Sequence, residues 1–233
     1  MQHTLNVHRD LKSIQPEGDG FVNSVRVRLL HTAVRRRIMK MASQRPEYYN
    51  MAEYGVPIND LDSIGTINLF STVLIWIGLP RQGIYLRREE IVDYLALWRY
   101  VAYVMGVPHN WMATPESAKV MMESVLISET RPSVASANLA NNIITGLKNH
   151  PPAYASHGFL CAQTHWLCGR ELADELEIER PSLYHSALVL GQCLLFMTTC
   201  YINGSFSRLD EHHINASFSP AFEPTRQLCR LGG

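Results

Sequence analysis

An all-α fold, a single-domain bundle of about eight helices, is what this 233-residue sequence predicts. Three observations carry the prediction. Apolar residues recur at spacings of three and four in one segment after another, the period of a helix with one buried face. No stretch sustains an alternation of two with β-branched enrichment. Helix punctuation brackets the segments, with polar N-caps, prolines at first positions and glycines at ends. Hydrophobic residues make up 46% and charged residues 18%, enough apolar content for one sizeable core. The domain is read over residues 18–203, with 1–17 and 204–233 as polar tails.

Taken in order, residues 1–17 are polar and are expected to be poorly ordered. Gly18-Asp19-Gly20 is a turn before a helix over Phe21–Met41, which Arg45-Pro46 ends. A tyrosine-rich connection over 46–58 leads to Asn59 or Asp60 as an N-cap, with Asp62 in the first turn. The helix from Asp60 to about Ile77 ends apolar on every side, which predicts a central, mostly buried element. Gly78, Pro80 and Gly83 break the chain. Arg88 to Met105 is amphipathic through Ile91, Tyr94, Leu95, Trp98, Ala102 and Met105, and Gly106 and Pro108 stop it. Thr114-Pro115 opens a helix to about Ser128. Further helices follow over about 133–148, 154–168, 171–177 and 182–202. The last is apolar enough to form core or a membrane-proximal surface, so membrane association is compatible with the sequence, although no segment is a firm transmembrane helix.

The 21 basic and 21 acidic side chains cancel, which argues against a nucleic-acid partner. Five cysteines form no CxxC pair, and the N-terminus MQHTLNVHRDLKS has no apolar signal core. Reduced thiols in a cytoplasmic or cytosol-facing protein are therefore expected. No P-loop, GxGxxG, HExxH or GxSxG motif supports nucleotide, dinucleotide, zinc-protease or serine-hydrolase chemistry.

The organising stretch is the Phe21–Met41 helix. Val27, Leu30, Val34, Ile38 and Met41 form its expected core-facing stripe, and His31 lies within it. Val27, Val34 and Ile38 flank His31 on one side; Arg28 and Arg35 flank it on the other. Arg36 and Arg37 point to water. A face of this kind suits a haem: a neutral nitrogen for iron, apolar surface for the macrocycle, and cations for the propionates. It equally suits a hydrogen-bonded core histidine with arginines paired to carboxylates. A second constellation, His157, Cys161, His165 and Cys168, shares one helix face. One straight helix cannot close four ligands around an ion, so buried small residues are the preferred reading there.

Arg-Leu-Leu-His-Thr-Ala-Val-Arg-Arg-Arg (28–37), then Gly-Val-Pro-Ile-Asn-Asp-Leu-Asp-Ser-Ile-Gly-Thr (55–66), then Leu-Ala-Leu-Trp-Arg (95–99) leading to Gly-Val-Pro (106–108), resemble the MpaB/rubber oxygenase (latex clearing protein-like) catalytic-domain family. The resemblance runs from about residue 18 to about residue 200. It implies haem b, with His31 as the axial metal ligand, Arg35 near the cofactor, and Thr66 as a candidate because its helix neighbours the cofactor in the family. Arg28 joins them from its place beside His31. The implied activity is an oxygenase reaction of dioxygen with an isoprenoid or other lipophilic secondary metabolite. Family members carry a helical region before this motif that supplies distal-side residues, and here about twenty residues precede the helix. The expectation is therefore an N-terminally short member. The alternative is a truncated, non-catalytic homologue acting as a haem-binding or interaction protein.

Overall fold

A computed structural model describes residues 2–151 and 153–217, with side chains through Ile202. The described residues are helical, with no strand among them, and form one compact domain. Eleven helical segments run in order: α1 (Gln2–Val7), α2 (Leu11–Ile14), α3 (Asp19–Gln44), α4 (Met51–Tyr54), α5 (Asp60–Phe70), α6 (Arg88–Met105), α7 (Pro115–Glu129), α8 (Val134–Leu147), α9 (His157–Cys168), α10 (Arg170–Glu175) and α11 (Leu183–Ser217). Helices α6, α7 and α8 match the sequence expectation closely.

Caps place most of the boundaries. Asn59 and Asp62 form a reciprocal capping box at the start of α5. Thr114 caps α7 ahead of Pro115. Gly106 closes α6 in the left-handed region at φ +75°. The larger core is built on α6, whose Leu95, Trp98, Val101 and Ala102 are almost wholly buried and meet Ile67, Ile75, Met112 and Ala118. Phe70 stacks on Trp98 at 5.6 Å between ring centres. A smaller core joins Ile144 of α8, Cys161 of α9, Ala173 of α10 and Ile178. Cys193 and Val189 of α11 pack on Ala162 of α9. Reciprocal hydrogen bonds tie the 3-10 turn Pro80–Gln82 to the end of α9: Arg81 Nη1 donates to the Leu167 carbonyl, and Trp166 Nε1 donates to the Arg81 carbonyl.

Four expectations are corrected. Residues 2–14, read as a polar tail, form two short helices because Val7 enters the larger core and Ser13 is fully buried. Ser13 Oγ accepts from Gly20 N at 3.0 Å, which docks α2 on the start of α3. The Asp60–Ile77 helix is interrupted: α5 stops at Phe70, and Leu74–Gly78 winds as a π-helical turn. Nor is it mostly buried. Only a line through Ile67, Asn68, Ser71, Thr72 and Ile75 is covered, while Leu69 and Phe70 are exposed. The third correction concerns α3, whose expected stripe does not face the core, since Leu30 is 60% exposed and Val34 37%. Close approach explains this. Gly20, Ser24 and Ala42 are the buried positions of α3, and a Cβ on Gly20 would stand 2.9 Å from the Ser13 carbonyl oxygen. The smallest side chains, not the largest, set which way the helix turns. Finally, α11 runs on to Ser217 through the start of the stretch read as a tail; residues 218–233 of that tail lie outside the described residues.

Two segments are long and apolar enough to cross a membrane by length and composition alone, Asp60–Gly78 and Leu183–Ile202. The second leaves Leu183, Leu190, Leu194 and Leu195 exposed. Cys161, Cys168, Cys193 and Cys200 are all free thiols.

Candidate functional site

On α3, Arg28, His31 and Arg35 lie three, four and seven residues apart and so share one face. Both arginines are anchored to backbone, Arg28 at the last turn of α6 and Arg35 at the loop that carries the first Gly-Val-Pro. Arg28 Nη1 donates to the Val104 carbonyl at 3.2 Å, and its guanidinium lies against Gly106. A Cβ at Gly106 would come 2.9 Å from Arg28 Cζ, so this position needs glycine both for its φ and for the arginine's approach. Arg35 Nε donates to the Pro57 carbonyl at 3.0 Å, and its Nη2 donates to the Ile58 carbonyl. Among the described residues, no carboxylate pairs with either guanidinium. The carboxylate-pairing reading of these arginines is therefore set aside. His31 between them is half-buried, and its ring makes no hydrogen bond to any described residue.

An open cleft of about 620 Å³ lies at the Arg28 end of this face, lined among others by Phe21, Val25, Arg28, Tyr103, Val107 and His109. His109 Nδ1 donates to the Val107 carbonyl at 3.2 Å, and its ring stands edge-on to Tyr103 at 5.8 Å. That bond leaves Nε2 as the ring's lone-pair nitrogen. Of the four candidate cofactor residues, Arg28, His31, Arg35 and Thr66, Arg28 alone lines the cleft. His31 and Arg35 lie further along α3, and Thr66, on α5, does not line the cleft. Thr66 is exposed, and its Oγ1 donates to the Asp62 carbonyl of its own helix at 2.9 Å, which is the ordinary habit of a helical threonine. Tyr103 was not a candidate, and His109, which follows Pro108 in the sequence, was passed over for that reason. The signal for them was their place beside Gly106-Val107-Pro108. Arg36 and Arg37 are exposed, as expected.

The second constellation is also rearranged. His165 is buried, and its Nε2 donates to the Ile178 carbonyl at 3.2 Å, so it is a satisfied core histidine. Cys168 is exposed. His157 and Cys161, by contrast, come together. Cys161 Sγ lies 3.6 Å from His157 Nδ1, and Glu179 Oε2 lies 3.5 Å from the same nitrogen. Burial and the Glu179 carboxylate both push the Cys161 thiol up from its ordinary pKa.

Residues 12–198 match the family described as ER-bound oxygenase mpaB/B'/Rubber oxygenase, catalytic domain. The match covers well over half of the chain, which belongs to this oxygenase family. No curated protein and no solved structure matches it.

Proposed function

We propose that this chain is a haem-dependent oxygenase that uses dioxygen on an isoprenoid or other lipophilic secondary metabolite, with His31 as the iron ligand. One observation carries the reading: an imidazole with no hydrogen-bond partner among the described residues lies on one helix face with two arginines that are anchored to backbone carbonyls. The residues fit the group. Arg28 spends one guanidinium donor on backbone and Arg35 two, so each keeps donors for a carboxylate. Leu30 and Val34, exposed beside His31, offer apolar surface for a macrocycle to cover. Haem, when bound, would supply the redox-active iron at which dioxygen is activated. This chain's own part is to present a neutral nitrogen and two cations. The exposed leucines of α11 suit a lipophilic setting for the substrate.

A second ligand assignment has its own support. His109 has its Nδ1 on a carbonyl and makes no hydrogen bond through Nε2 to any described residue, in a cleft that Arg28 also lines, and a ring held through one nitrogen is the arrangement usual for ligating histidines. Haem titration separates the two assignments. The unmutated chain should take up one haem and develop a Soret band. His31→Ala should abolish the band, and His109→Ala should leave it in place. The reverse outcome would assign the ligand to His109. A folded chain that takes up no haem would overturn the cofactor and favour the non-catalytic alternative. Consumption of dioxygen with carbonyl-ended products from a polyisoprene oligomer would test the substrate class.

A further inference from the structure

We propose that His157, Cys161 and Glu179 form a second metal site, for a zinc-type divalent ion, which ties the connection between α10 and α11 to the first turn of α9. The three offer one ligand atom each, and these atoms lie within 4.8 Å of one another. Two of the three separations are those of a coordination sphere. Ordinary zinc–nitrogen, zinc–sulfur and zinc–oxygen lengths at tetrahedral angles put nitrogen and sulfur about 3.6 Å apart and nitrogen and oxygen about 3.4 Å apart. The observed separations are 3.6 Å and 3.5 Å.

A plain hydrogen-bonded group accounts for less. Both contacts converge on His157 Nδ1, and one ring nitrogen can donate one proton to one of them. A cation at the point they share satisfies the nitrogen, the sulfur and the carboxylate together. The donor set of imidazole, thiolate and carboxylate suits zinc or cobalt, and three protein ligands leave a fourth position for water.

The scaffold holds these ligands independently of any ion. His157 and Cys161 are one turn apart on α9, and Cys161 is buried in the smaller core. The backbone on both sides of Glu179 is fixed. Ile178 is buried, and its carbonyl accepts from His165. Arg180 makes a two-bond ion pair with Asp174, at 3.1 and 2.9 Å. Asn141 Nδ2 donates to the Leu176 carbonyl and anchors the same stretch to α8. The Glu179 carboxylate itself is exposed, which gives the ion an entry path. This site stands on different helices from the His31 face and does not depend on how that face is read.

The test uses the full chain, stripped with a chelator and titrated with Zn²⁺ alone and with Co²⁺ alone. The expected result is one ion per chain. Cobalt should give the visible bands of a tetrahedral ion and the near-ultraviolet band of a thiolate ligand. Cys161→Ser should remove the thiolate band. Glu179→Gln, at a surface position that leaves the fold intact, should weaken binding by about tenfold to a hundredfold. Cys168→Ser should leave binding unchanged. Absence of stoichiometric uptake would overturn the proposal. So would uptake with no thiolate band, or uptake that Glu179→Gln leaves unchanged.

Discussion

Helices α3 and α6 pack against each other, yet opposite rules orient them. In α6 the largest apolar side chains turn inward, and Leu95, Trp98 and Val101 are almost fully buried. In α3 the buried positions are Gly20, Ser24 and Ala42, while Leu30 stands in solvent. Hydrophobic burial orients α6. Small side chains that allow close approach, and two arginines that reach across to carbonyls of α6 and of the 55–58 loop, orient α3. The comparison shows that an apolar stripe at helical spacing marks a candidate core face, and that specific polar anchors can override it.

The largest expected effect tests the α6 side. Trp98→Ala should cost about 3–5 kcal/mol, because it removes a fully buried ring that stacks on Phe70. Urea unfolding would measure this, and a cost near zero would break the contrast. Arg35→Ala should cost about 1–3 kcal/mol, because the Pro57 and Ile58 carbonyls lose their donor. Hydrogen exchange should quicken at residues 55–60 ahead of the rest of the chain. Arg35→Lys should recover part of the loss, since one ammonium cannot reproduce the guanidinium's two-carbonyl geometry. The smallest effect belongs to Leu30→Ala, which should change stability by no more than about 0.5 kcal/mol. A cost comparable to that of Trp98→Ala would restore the expected stripe.

What was legible in the sequence was mostly local. Thr114-Pro115, Gly106 and the Asn59–Asp62 box act within a turn of themselves, and their boundaries came out close to those expected. The α6 face was legible because its apolar residues outweigh any competing anchor. The direction of α3 was not, because it depends on Ser13, Pro57, Ile58 and Val104, all outside the helix. The break in α5 was hidden because a π-helical turn has no strong composition of its own. At the candidate site, the His31 face was found from spacing and resemblance, whereas His109 became visible only once its loop folded beside Arg28. Glu179 could not be paired with His157 by spacing, since an intervening helix and loop deliver it.

The seven-residue interval between Arg28 and Arg35 makes α3 a ruler. Two turns of helix span about 10.5 Å and return almost to the same azimuth, so one rigid rod gauges the separation of the loop carbonyls at 57–58 from the end of α6 at Val104, which are remote in the chain. A residue inserted between the two marks would advance one of them by about 1.5 Å and swing it by about 100°. It would then miss its carbonyls. Over 28–35 the chain can therefore drift by substitution but not by change of length.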